Sequence, residues 1–211
     1  MNTLSTRDKI LKISHKLFAD KGVNGVSVRE IAKECDVNIS AVNYHFTNKE
    51  NLYLETIRCS VVQTATEIKE IYDSLEVKSL ESIVMKVYEH FMKNSQDLRT
   101  AFKLIISSEK FAEAMGHEIK TFNGPPGGEY FAYCLKDEFP TISEEDANWG
   151  VRILFTHVMH KALMMCNKSI CESLENTGVS QEVLVDDIRR LVRIVKSEIK
   201  HTTKQTTETS K

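Results

Sequence analysis

The sequence predicts an all-α protein. Only three prolines and eight glycines occur in 211 residues, so little interrupts helical segments, and two of those prolines fall in one stretch, Asn123 to Gly128. Apolar residues recur with a period near 3.6 along the chain, without sustained strand-type alternation. Two Ser/Thr-x-x-Glu sequences precede apolar runs, the signature of a capped helix start.

The first helix is expected over about residues 5–20, with Ile10, Ile13, Leu17 and Phe18 on one face and Gly22 ending it in a left-handed cap. Ser27 and Glu30 form a capping box for a second helix of about two turns. Its apolar face is Val28, Ile31, Ala32 and Cys35. A tight turn at Asp36 and Val37 leads to a third helix near 38–45, and Thr47 with Glu50 opens a long fourth helix to about residue 74. Further helices are expected near 79–94, 97–115, 127–137, 143–171 and 180–200. The Thr/Lys-rich, apolar-free tail 201–211 is read as disordered.

Composition narrows the class. The N-terminal MNTLSTRDK has no apolar run of the signal-peptide kind, and the most apolar stretch, 151–166, is broken by Arg152, His157, His160 and Lys161. Five cysteines without metal-type CxxC pairing point to a reducing cytoplasm. Net charge is −2, which by itself argues against a nucleic-acid partner. The balance is asymmetric, however, about +2 over residues 1–50 and about −4 over the rest.

Three short helices, the second and third joined by a turn too tight for antiparallel packing, make a helix-turn-helix, in which the second helix of the pair enters the major groove. Val28, Ile31, Cys35, Val37, Val42 and Phe46 would form its core, leaving Asn38, Ile39, Ser40, Ala41 and Asn43 outward. Small and amide side chains suit base edges: Asn pairs bidentately with adenine, while Ala or Ile meets a thymine methyl. Tyr44, His45 and Lys49 are placed to hold phosphates, which fix register rather than sequence.

The runs Thr6-Arg-Asp-Lys-Ile-Leu, Leu17-Phe-Ala-Asp-Lys-Gly22, Val26-Ser-Val-Arg-Glu-Ile-Ala-Lys-Glu-Cys-Asp-Val37, Ala41-Val-Asn-Tyr-His-Phe46 and Asn48-Lys-Glu-Asn-Leu52 together resemble the N-terminal domain of the TetR family of transcriptional regulators. The resemblance implies base reading by Ile39, Ser40, Ala41, Asn43 and Arg29, and phosphate contacts by Ser27, Tyr44, His45 and Lys49. The chain departs from the family pattern where Cys35-Asp36 replaces an apolar residue and Gly at the turn, and where Asn43 stands in place of an aromatic or aliphatic residue. The family's organisation implies a helix-turn-helix domain over 1–48 and a helical ligand-sensing and dimerising domain over 49–200.

The residues themselves support a homodimer. The last helix carries two adjacent stripes, Leu184, Ile188, Leu191, Val195 and Val185, Val192, Ile199, and the helix over 143–171 is similarly broad, so one stripe can face a partner copy. A largely apolar pocket for a small-molecule effector is expected in the aromatic segment around the Gly-Pro break, from Tyr88, Phe91, Phe102, Met115, Phe122 and Tyr130, with His90, Tyr88, Glu109 and His157 as polar anchors. His157 and His160 with Cys166 are a weak metal set, and no metal or other cofactor is expected. The chain has no GxSxG, HExxH or phosphate-cradling glycine loop, so it is not read as an enzyme. The competing reading is a DNA-binding protein of the same fold that answers to a protein partner or organises DNA.

Overall fold

The structure, a computed structural model, describes residues 5–115 and 124–209, with side chains through Thr202. Regular structure among these residues is helical, in the order α1 (Thr6–Lys21), α2 (Val28–Glu34), α3 (Ile39–Phe46), α4 (Lys49–Ser74), α5 (Leu80–Lys93), α6 (Ser95–Ile106), α7 (Phe111–Met115), α8 (Gly128–Glu138), α9 (Glu144–Met165), α10 (Lys168–Asn176) and α11 (Gln181–Thr209). Packing divides the chain into two compact units, Met1–Gln63 with Gln96–Thr121, and Thr64–Ser95 with Phe122–Lys211. The sequence boundary expected at residue 48 marks the end of the helix-turn-helix motif, whereas the first packing unit also takes in the start of α4 and the α6–α7 segment.

In the first unit, Ser5 caps α1 by accepting from the Asp8 amide, and Gly22 ends it with φ 68° and ψ 168°. That positive φ is the one only glycine adopts readily, although ψ lies far from the left-handed helical value anticipated. Ile10 and Phe18 of α1, Ile31 and Ala32 of α2, Cys35, Val42 and Phe46 of α3, and Leu52, Tyr53 and Ile57 of α4 close on one another. Leu104 of α6 and Ala114 of α7 complete this core. Phe18 meets Tyr53 edge-to-face at 5.2 Å. Each large aliphatic buried here contributes about 1.5–3 kcal/mol. Of the expected small core, Ile31, Cys35, Val42 and Phe46 are buried, and Val28 and Val37 pack half-buried at its edge.

The single helix expected over 97–115 is two helices. Ser107 turns its hydroxyl back to the Lys103 carbonyl (2.6 Å), and Ser108 accepts from the Lys110 amide (3.2 Å), so serine side chains compete with the backbone ladder where α6 stops.

In the second unit α5, α8, α9 and α11 pack on one another, with α10 against α9. The amphipathic α5, capped by Ser79, buries Leu80, Ile83, Val84, Val87, Tyr88 and Phe91. Glu138 at the end of α8 accepts from the Leu80 amide (2.8 Å) and pairs with Lys196 (2.7 Å), tying the start of α5 to α8 and α11. Gly150 lets α8 and α11 approach α9 closely: a Cβ there would lie 3.2 Å from Leu135 and 3.3 Å from Val195. The helix expected over 143–171 ends at Met165, because the Asn167 side chain accepts from the Ser169 and Ile170 amides and starts α10.

The two stripes expected on the last helix are redistributed. Leu184, Ile188, Val192, Val195 and Ile199 form one buried stripe, Val185 and Leu191 are half-buried, and Val183 and Ile194 are 42% and 54% exposed. α11 also runs on to Thr209, through most of the tail whose composition suggested disorder. Extending an existing helix costs far less than nucleating one, so weak helix formers follow the turns before them.

Candidate nucleic-acid interface

The site is built from two short helices and the turn between them. Ser27 is extended and its hydroxyl accepts from the Glu30 amide (3.1 Å), which starts α2. Only half of the expected capping box forms, since the Glu30 carboxylate pairs with Lys21 instead of turning back to the Ser27 amide. This pairing, hydrogen bond first, holds the Glu30 carboxyl below its ordinary range. Cys35 closes α2 and Asp36 takes φ 51°, the left-handed conformation that explains why glycine suits this turn and which Asp tolerates better than most residues. The Val37 amide returns to the Ala32 carbonyl (2.9 Å), which fixes the direction of the next helix.

Asn38 opens α3. Its side-chain oxygen accepts from the Ala41 amide (2.7 Å) and from the Ser40 hydroxyl (2.9 Å), so this residue, expected to face bases, is committed to capping. Val42 and Phe46, one turn apart, anchor α3 inward. The outward side then presents Ile39 (41% exposed), Ser40, Asn43 and Tyr44 (85% exposed), with Ala41 and His45 half-buried beside them. Arg29 and Ser27 are exposed on α2 and at its cap. The Ser27 oxygen is occupied as an acceptor while its hydroxyl proton remains a donor suited to a phosphate. Tyr44 and His45 stack edge-to-face at 5.2 Å.

Lys49 departs from its expected role. Its ammonium donates to the Val23 carbonyl (2.9 Å) and the Val26 carbonyl (3.1 Å), so it ties down the α1–α2 connection. Thr47 does not cap α4; Asn48 does, accepting from the Asn51 amide (2.8 Å). Thr47 instead sits at φ 61° and ψ −50°, with the Asn48 amide donating across it to the Phe46 carbonyl (2.5 Å), a γ-turn of the rare, strained kind.

Sequence reasoning missed a polar cleft of about 260 Å³ beside the end of α3, lined among others by Arg7, His45, Phe46, Glu55, Arg58 and Glu113. Arg7 lies over the Phe46 ring, 5.2 Å from its centre. Its partners Phe46 and Glu55 are 39 and 48 residues distant in sequence, and no local pattern announces them.

The residues expected to form an effector pocket do not gather in one unit. Tyr88 and Phe91 are buried on α5, and desolvation raises the Tyr88 hydroxyl above its ordinary range. His90 is half-buried against Glu67 (3.1 Å) and Asn94, and Tyr130 is half-buried against Tyr72 and Tyr133. His157, expected to face a cavity, is exposed on α9, because the inward side of that helix is filled by Leu154, Phe155 and Val158. Phe102, half-buried, and Met115, buried, belong to the first unit, as does Glu109, which is exposed in the turn between α6 and α7 rather than facing a pocket. Phe122 lies outside the described residues. Among the described residues no group of three or more His, Cys, Asp or Glu side chains is placed to hold a metal, and Cys166 donates to the Ser95 carbonyl (3.0 Å). No helix of the described residues is long and apolar enough to cross a membrane.

Residues 10–56 match the model of the bacterial regulatory proteins, tetR family. Over this N-terminal segment the chain is similar to the TetR-family regulators. Among its relatives, the probable HTH-type transcriptional regulator YttP of Bacillus subtilis (strain 168) is 49% identical over 49 residues, 23% of this chain and 24% of that protein. The biofilm operon icaADBC HTH-type negative transcriptional regulator IcaR of Staphylococcus aureus (strain Newman) is 32% identical over 53 residues, 25% of this chain and 28% of that protein. The match thus spans about a quarter of the length of these relatives. A solved TetR-family regulator of Streptomyces coelicolor superposes over 97% of this chain and 89% of its own, at a TM-score of 0.62 and 14% identity. A TerR/AcrR-family regulator from Aquifex aeolicus VF5 covers 90% of this chain and 99% of its own, at 0.59 and 21%. These likenesses extend the TetR fold, at low identity, beyond the helix-turn-helix of the TetR match.

Proposed function

We propose that this chain is a DNA-binding transcriptional regulator, acting in the cytoplasm as a homodimer and as a repressor that a small, largely apolar ligand releases from operator DNA. The observation that carries the reading is the outward side of α3, where Ile39, Ser40, Asn43 and Tyr44 are exposed on a helix held from behind by Val42 and Phe46. A short helix so presented, with small, amide and aromatic side chains outward, fits the major groove. Repression accords with the negative regulator among the relatives. Dimerisation is supported by the exposed aliphatic residues Ile153 of α9 and Val183 and Ile194 of α11. Two such helices from each copy make an isologous four-helix interface.

Footprinting of the purified protein over the promoter of its own gene tests this. The expected result is protection of a short pseudo-palindrome whose half-sites lie ~34–36 Å apart or a multiple of that. Members of a hydrophobic small-molecule library should then release it. Uniform coverage of all DNA with no preferred site would refute sequence-specific regulation.

A further inference from the structure

The polar cleft beside α3 is a chain of contacts running across the whole first unit. At one end, Arg58 of α4 donates from Nε (3.1 Å) and Nη2 (2.9 Å) to the carbonyl of Ala114, near the carboxyl end of α7. Ala114 and Met115 are themselves buried, so this acceptor is fixed. In the middle, the Glu55 carboxylate is shared: Oε1 accepts from Arg58 Nη1 (3.3 Å) and Oε2 from Arg7 Nη2 (2.9 Å). At the other end, the Arg7 guanidinium covers the ring of Phe46, the last residue of the recognition helix. Arg7, Glu55 and Arg58 thus spend their charged groups on one another, on the Ala114 carbonyl and on the Phe46 ring, which favours a clamp over a ligand site.

The clamp ends at a strained point. Thr47, immediately after Phe46, is a β-branched residue at positive φ, and such a conformation persists only where its surroundings over-determine it. The ion pairs are about 40% exposed, so each adds little to stability. What they supply is geometry: a planar fork on a fixed carbonyl and one carboxylate joining two guanidinium groups. Both ends of the clamp lie in the first unit, and α7 is the last described helix of that unit before the chain leads on to α8 of the second.

We propose that Arg58, Glu55 and Arg7 form a relay through which the carboxyl end of α7 sets the pose of the recognition helix, making them positioning residues for DNA binding. The relay rests on the reading of the first unit as the DNA-binding one. It gives that unit an input, since displacing α7 withdraws the support of the Phe46–Thr47 joint.

Amide hydrogen exchange of the full-length protein without DNA tests the relay directly. Arg58→Ala should speed exchange at Thr47 and Asn48 about tenfold, although Arg58 makes no hydrogen bond to either, and leave the middle of α1 unchanged. The second measurement is a double-mutant cycle on a duplex selected by the wild type from a random library. Arg58→Ala and Arg7→Ala should each weaken binding about five- to tenfold, and the double variant should be no weaker than the worse single. The salt slope of Arg58→Ala should match the wild type, since Arg58 positions and holds no phosphate. If Arg58→Ala loses its helical dichroism, Glu55→Gln, which keeps the shape and removes the shared charge, carries both measurements. Exchange that changes only at 111–115, or losses that multiply in the double variant, would overturn the relay. If the wild type selects no duplex, the DNA-binding reading fails, while the exchange result still decides whether α7 and the joint are coupled.

Discussion

The open side of α3 and the open sides of α9 and α11 are both exposed, yet they differ in kind. The first carries small and amide groups with one aromatic ring, Ser40, Asn43 and Tyr44, around Ile39. The second carries the branched aliphatics Ile153, Val183 and Ile194. A surface of the first kind suits a wet, charged partner with hydrogen-bonding edges, and one of the second kind suits a dry partner such as another copy of itself. Exposure alone does not say what a helix is for; the chemistry of what is exposed separates the two.

Substitutions that act on one surface and spare the other would sharpen this contrast. The largest effect is expected from Ile194→Glu. A carboxylate buried unpaired in an interface costs about 3–5 kcal/mol, and an isologous contact counts it twice, so sedimentation should report monomers while the melting of each subunit's helices barely moves. Unchanged dimers would remove α11 from the interface.

Lys49→Met should cost about 1–3 kcal/mol of stability, because the Val23 and Val26 carbonyls lose a charged donor in a partly buried place. Denaturant titration checks this. A variant as stable as the wild type, with a salt slope lower by about one, would return Lys49 to the phosphate-holding rim.

Smaller effects are expected at the turn, where Asp36→Gly should stay within about 1 kcal/mol of the wild type, relief of the left-handed strain offsetting glycine's entropy, while Asp36→Val should lose about 1–2 kcal/mol.

The last effect is one of pH. Desolvation holds the His15 imidazole of α1 below its usual range, against a raising influence from Asp97 and with a lowering one from Lys16. The unfolded chain therefore binds this proton more readily, so the stability tied to neutral His15 is present above about pH 6.5 and is lost as pH falls below it. His15→Gln should flatten the acid limb of the stability curve. An unchanged limb would assign it to other groups, among them His157 on the open side of α9, which desolvation also lowers.

The helix-turn-helix was legible in the sequence because its determinants are local. Ser27 caps α2 through a residue three positions on, Ile31 and Cys35 share a face by spacing, and Asp36 must turn left-handed for the chain to reverse. What was illegible depends on distance or on a single competing hydrogen bond. A lysine that ties carbonyls 23 and 26 residues away has the same local sequence as one that holds a phosphate. The Arg7–Glu55–Arg58 chain joins residues up to 51 apart, and the breaks at Ser107 and Asn167 interrupt helical periodicity through one side chain each. The α11 stripes were visible as apolar positions, but which stripe turns inward was decided by α5 and α9.

Base-by-base binding of Asn43→Ala to the selected duplex tests most directly the claim that the open side of α3 reads sequence. The wild type should lose about 1–3 kcal/mol for a substitution at the base pairs that Asn43 faces, and Asn43→Ala should lose that discrimination while keeping its affinity for random DNA. An equal loss of affinity on every sequence, specific and random, would contradict it.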